Sequence, residues 1–176
     1  SGKPTSRKTM IEYASVIKQF FKFCAANRII DRSPLEDLLT VPAGEPSKHR
    51  DALTAEQREW IINTPHRAQT AAMIMLYTGL RRGELTALSW SDVDLTAKTI
   101  TVNKSYCYQS RKIKSTKTEA GTRTVPIPEF LVAYLQGLSK ESVLVFPNTD
   151  GKYMNNSSWE KLWDSYMRAL NRKYGN

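Results

Sequence analysis

Between Thr5 and Asn27 apolar side chains return at helical spacing, at Met10, Tyr13, Ala14, Ile17, Phe21 and Cys24. That period predicts an amphipathic helix. Phe20 and Phe23 widen the stripe, so the helix is expected to pack against more than one neighbour. "DRSPLEDLL" predicts a short second helix, with Ser33 as N-cap, Pro34 at its first position, and Glu36 and Asp37 in its first turn. From Val41 to Ala52 the periodicity stops, and two prolines, a glycine and several charges read as a linker.

Helical patterning resumes at "LTAEQREWIINT", where Thr54 and Gln57 have the spacing of a capping box. "AQTAAMIMLYTGL" is apolar nearly all round, which predicts a central buried helix ending at Gly79. The rhythm then changes. "KTITV" and "TRTVPIP" alternate with β-branched residues and "SYCYQ" is aromatic, predicting a small antiparallel sheet of two or three strands between Lys98 and Pro126. Helix returns in "PEFLVAYLQGL", a short extended piece follows in "SVLVFP", and "NSSWEKLWDSYMRALNRK" predicts a last helix. Its cap is expected to be a box from Ser157 to Glu160, and its apolar residues Trp159, Leu162, Trp163, Tyr166, Met167 and Leu170 lie on one face. The fold class expected is mainly α with a small antiparallel β-sheet.

Composition narrows the function. With 40% hydrophobic and 24% charged residues in 176, the chain reads as globular rather than disordered. No apolar run is long enough to span a bilayer, and no apolar segment follows the basic N-terminus as in a secretory signal. Cys24 and Cys107, the two cysteines, cannot make a disulfide framework or a four-cysteine zinc site, and a cytoplasmic setting without metal is expected. The formal charge of +9 favours a polyanionic partner, nucleic acid before anionic membrane.

Two constellations could carry chemistry. In "YTGLRRGELTALSW" Gly79 permits a sharp turn, and Glu84 lies one helical turn beyond Arg81. A carboxylate can hold a guanidinium while leaving N–H groups for a phosphate, although an ordinary surface ion pair has the same spacing. Between Lys98 and Arg123 there are seven basic residues (Lys98, Lys104, Arg111, Lys112, Lys114, Lys117, Arg123) against one acid, Glu119. A basic hairpin can follow a DNA backbone, and a lysine-bearing edge strand can equally serve only to prevent strand pairing. The one-sign bias favours DNA, with Arg111, Lys112, Lys114 and Arg123 as candidate contacts. Tyr106 and Tyr108 fit either strand packing or DNA. His49 and His66 lack metal-ligand spacing and read as solvated, and Trp159 and Trp163 read as core.

Together, "LTAEQREWIINT", "YTGLRRGELTALSWSDVDL" and "STKTEAGTRTVPIP" resemble the tyrosine recombinases, the phage-integrase type of site-specific recombinase, from about Leu53 to Pro128. A finer likeness is to integrases of conjugative transposons and prophages of Gram-positive bacteria. The resemblance implies an incomplete catalytic domain over 53–176, a linker over 44–52, and the C-terminal part of a helical core-binding domain over 1–43. It implies a clamp on double-stranded DNA and strand exchange through a 3′-phosphotyrosine, with no metal or high-energy cofactor. It further implies a homotetramer of the full-length parent on DNA, in a bacterial cytoplasm. Arg81 matches the first catalytic arginine, Glu84 its acidic support and Lys117 the hairpin lysine that protonates the leaving 5′ oxygen. Arg82 inherits no role.

The chain departs from the family pattern in what is missing. Neither His49 nor His66 begins an H-x-x-R box, and Tyr166 and Tyr174 come too early to be the nucleophile. This chain is therefore expected not to cleave DNA by itself. The alternatives are a non-catalytic DNA-binding module of the same fold, and an interaction protein whose basic face only solubilises it.

Overall fold

Helix α1, Arg7–Ala26, begins at Ser6, whose hydroxyl accepts the Thr9 N–H. The computed structural model describes residues 5–35, 40–41, 51–115 and 121–175. Within these the chain forms two compact units, Ser1–Ala52 and Leu53–Asn176. In the first unit, Ser33 caps the turn that follows α1 by accepting the Leu35 N–H, and the rest of the helix expected there lies outside the described residues. The stripe on α1 differs from expectation. Ala14 and Cys24 are buried, but Tyr13, Phe20 and Phe23 are each about 60% exposed (62%, 60% and 60%). Among the described residues of this unit, one helix and a short flanking segment have too little surface to cover so wide an apolar band.

The second unit is built around α3, Gln69–Thr78. Its path starts with α2, Ala55–Ile62, which carries the expected capping box: Thr54 and Gln57 each bond the other's main-chain N–H. On α3 Ala71, Met73 and Ile74 are buried, as a helix apolar on all sides must be. The helix ends as its sequence predicts. Gly79 adopts φ +65°, a left-handed conformation that costs glycine nothing, and its N–H bonds the Met75 carbonyl. Helix α4, Arg82–Ala87, follows at once, so the turn delivers Arg81 to the start of a helix whose far side, Leu85 and Ala87, is core.

Among the described residues five strands follow, four of them within 98–126 where two or three are expected, and they form two sheets rather than one. Strands β1 (Val93–Asp94), β2 (Thr99–Val102) and β5 (Arg123–Pro126) form an antiparallel sheet in the order β1-β2-β5. Strands β3 (Lys104–Cys107) and β4 (Lys112–Ser115) form a separate antiparallel ribbon. A two-residue strand such as β1 shows no alternation, so it could not be read from its sequence. The extended piece of "SVLVFP" makes a single bridge, Leu144 to Ser89. Helix α5, Glu129–Gln136, lays Leu131, Val132 and Leu135 on the same core as Ile74, Leu85 and Ile100.

Helix α6, Asn156–Tyr174, closes the unit. Its cap is Asn155, which accepts the Ser158 N–H, in place of the expected Ser157–Glu160 box. The Asn156 side-chain amide instead donates to the Glu160 carboxylate. Trp159 is buried and stacks on Trp163, so these rings are core, as expected. Tyr166 is buried with its hydroxyl donating to the Ile61 carbonyl at 3.1 Å, and Trp60 stacks on Tyr174 with centroids 5.1 Å apart. His66 is not the solvated residue expected. It stacks on Tyr166, accepts the Ala68 N–H and lies 3.3 Å from the Ser165 hydroxyl. Among the described residues no helix is long and apolar enough to cross a membrane.

The ribbon is pressed against α4. A β-carbon on Gly83 would lie 2.6 Å from the Ser105 hydroxyl oxygen and 2.8 Å from the Tyr106 carbonyl oxygen. The carbonyl belongs to β3 and cannot swing aside. Gly83→Ala should therefore destabilise the unit by about 1–2 kcal/mol, overpacking outweighing the gain in helix propensity. The expected readout is a lower urea midpoint at unchanged slope.

Candidate functional site

The α3–α4 turn fixes Arg81 by its main chain before its side chain is considered. The Arg81 N–H donates to Glu84 Oε2 at 2.8 Å, and Arg81 Nη1 donates to Oε1 at 3.1 Å. Glu84 itself is held by packing: α4 turns it inward, and its side chain is only 9% exposed. A carboxylate so buried needs compensation. Arg81 supplies part of it, and Arg123, the first residue of β5, supplies the rest. Its Nη1 and Nη2 bond Oε1 and Oε2 at 3.0 and 2.8 Å in a two-pronged pair. Chiefly through Arg123, against the opposing effect of burial and with further help from Arg81, the Glu84 carboxyl is pulled from 4.5 down to about 2.

The Arg81 side chain is 80% exposed, so its charged head reaches solvent although its root lies on the core. The two adjacent arginines are accommodated differently. Arg81 is anchored by Glu84 and projects outward. Arg82 lies over the Tyr108 ring, 4.1 Å from its centroid. Tyr108 also bonds the Thr86 hydroxyl, and burial raises its pKa. Tyr106 is buried and stacks on Tyr153. Both tyrosines are therefore packed, which resolves the two readings open for them.

Folding divides the basic segment. Lys98 pairs with Glu129, and Arg123 with Glu84. Lys104 pairs with Asp92 at 2.6 Å and bonds the Ser89 hydroxyl at 3.0 Å. Burial opposes ionisation of Asp92, but Lys104 and Ser89 together bring its pKa below the ordinary value. Counting the charges of the segment did not reveal these pairs, although S-x-x-D at Ser89–Asp92 has the form of a cap. Among the described residues the remaining positive charge of the segment sits on the ribbon and its turn. All four residues of β4, Lys112 and Lys114 among them, are exposed, and Arg111 closes the turn at φ +52°. No described carboxylate pairs with these three. Lys117 and His49 lie outside the described residues.

The arrangement thus presents an anchored, exposed guanidinium and an exposed basic ribbon on one unit. Among the described residues no group of three His, Cys, Asp or Glu side chains converges to hold a metal.

The chain belongs to the phage integrase family, whose model matches residues 51–175. Among its relatives is a XerC-like tyrosine recombinase of Caldanaerobacter subterraneus subsp. tengcongensis, 27% identical over 148 residues, covering 74% of this chain and 38% of that protein. The tyrosine recombinase XerC of Chlamydia muridarum is 25% identical over 92% of this chain and 52% of its own length. The chain therefore spans about half or less of these relatives. The integrase of the transposon Tn1549, solved in complex with a circular intermediate DNA, has the same fold, with a TM-score of 0.80 and 20% identity over 99% of this chain and 62% of that one. The fold is that of the tyrosine recombinase catalytic domain, mainly helical with small antiparallel sheets.

A carboxyl lowered on folding stabilises the folded state above its unfolded pKa, and that contribution is lost as pH falls through the folded value. For Glu84 the window runs from about 4.5 down to about 2, and the contribution above it is on the order of 3 kcal/mol. Chemical denaturation across this range should show wild type converging on Glu84→Gln as acid is added. A gap constant with pH would contradict this.

Proposed function

We propose that the chain forms part of a site-specific DNA recombinase of the tyrosine type. The observation that carries this reading is Arg81: a guanidinium anchored at its root by Glu84, with the head exposed, at the start of the helix against which the basic ribbon packs. In the full-length parent, a tyrosine oxygen attacks the scissile phosphorus, a P–O bond to tyrosine forms, and the bond to the 5′ oxygen breaks. Arg81 stabilises the charge that builds on the phosphate oxygens in the five-coordinate state, and Glu84 holds it there. Lys117 gives the proton to the departing 5′ oxygen. Arg111, Lys112 and Lys114 follow the backbone of double-stranded DNA.

In the same reading, residues 1–43 end a core-binding domain, 44–52 link it, and 53–176 begin the catalytic domain. The parent works as a homotetramer on DNA in a bacterial cytoplasm, as a mobile-element or phage-encoded integrase. The chain by itself binds DNA without cutting it. It contains no H-x-x-R box, Tyr166 is locked into the core, and Tyr174 is stacked on Trp60.

Two measurements test this. The chain's affinity for duplex DNA should fall steeply with salt, and replacing Arg111, Lys112 and Lys114 together by Gln should reduce the slope of log affinity against log salt by about 2–3. An unchanged slope would remove the ribbon from the interface. In the full-length parent, Arg81→Lys or Lys117→Ala should lower cleavage by about a hundredfold or more with binding largely kept. Unimpaired cleavage would favour a DNA-binding module without catalysis, and a covalent adduct formed by the chain alone would refute its inactivity.

A further inference from the structure

Charge alone puts Arg123 among the DNA contacts, but its geometry is different. Both terminal nitrogens face Glu84, and its side chain is 36% exposed against 80% for Arg81. Each Glu84 oxygen accepts two hydrogen bonds: Oε1 from the Nη1 atoms of both arginines, Oε2 from Arg123 Nη2 and the Arg81 main chain. A carboxylate has about four acceptor positions, so Glu84 is saturated. Two guanidinium groups on one carboxylate leave a single positive charge, and the more exposed of the two carries it to the surface.

Arg81 and Glu84 alone would form a neutral pair. A phosphate would then have to compete with Glu84 for the same guanidinium and would meet the carboxylate's repulsion. A second guanidinium on the carboxylate removes both obstacles. Its rigid fork also fixes the plane of the carboxylate, and through it the direction of Arg81.

We propose that Arg123 is a positioning residue, which neutralises and orients Glu84 so that Arg81 presents its charge to a backbone phosphate. This rests on the DNA-binding function proposed above, and its tests separate the two. Arg123 joins β5 to α4, so a strand that comes after the basic ribbon in the chain is tied to the turn that carries Arg81.

The first test needs no DNA. In nitrogen-15 spectra of the chain, the Arg81 guanidinium should show slowed rotation about its terminal bonds. Arg123→Gln should slow it further, since Glu84 then pairs with Arg81 alone, and Arg123→Lys should have only part of this effect, since an ammonium supplies charge but no fork. Arg81 signals indifferent to both substitutions would overturn the positioning role. The second test is a double-mutant cycle on affinity for a short duplex at low salt. Arg123→Gln should weaken binding by about tenfold, the equivalent of about one phosphate contact. Combined with Glu84→Gln, which removes the charge that Arg123 offsets, the loss should shrink to within about twofold of Glu84→Gln alone. A loss that persists undiminished in the Glu84→Gln background would mean that Arg123 touches DNA directly. Near-ultraviolet circular dichroism identifies any variant that fails to fold, and Arg123→Lys then carries the cycle. If wild type binds no duplex, the proposed function fails, while the spectra still decide the positioning role.

Discussion

One buried carboxylate organises the candidate site. Glu84 is placed inward by α4 and would be untenable there as a lone charge. Its requirement for donors draws in the main chain of the α3–α4 turn, the Arg81 side chain and the Arg123 fork at the start of β5. A helix junction and a sheet strand thus meet on two oxygen atoms. Breaking any one of these contacts leaves a buried charge short of partners, so the site is stiff where it is anchored and open only at the Arg81 head.

The apolar core explains why the anchor lies where it does. Ile74 on α3, Leu85 on α4, Ile100 on β2 and Leu131 on α5 are wholly buried and pack as one cluster. Leu85 immediately follows Glu84, so the packing that holds Leu85 also sets the direction of the carboxylate. Gly83, the residue before it, lets β3 approach without a side chain between. The ribbon that carries the exposed lysines is thereby pressed onto the element that carries Arg81. The exposed lysines and the Arg81 guanidinium thereby share one support.

Much of this was legible in the sequence because it is local. The Thr54–Gln57 box, the left-handed Gly79, the all-round apolar α3 and the Arg81–Glu84 spacing each involve residues a turn apart. The wording around Arg81 and "KTEAGTRTVPIP" carried the family. What escaped was long-range. Arg123 and Glu84 lie 39 positions apart, and Lys104 and Asp92 lie 12 apart on different elements. A charge count cannot tell a lysine aimed at DNA from one aimed at a carboxylate. The misplaced cap of α6 shows a local failure, since Asn155 and Ser157 are both good caps and only tertiary packing selects between them. His66 appeared solvated for a similar reason, because the ring it stacks on, Tyr166, is contributed by the last helix.

The central claim is that Arg81, held by Glu84, is the group that meets phosphate. The most direct measurement is to follow the guanidinium signals of the arginines in the chain while a short duplex is added. The account predicts that the Arg81 signals shift and sharpen on binding, with those of Arg123 staying close to their positions in the DNA-free chain. If duplex binds and the Arg81 signals do not move, the anchored guanidinium faces something other than a phosphate, and the account is wrong.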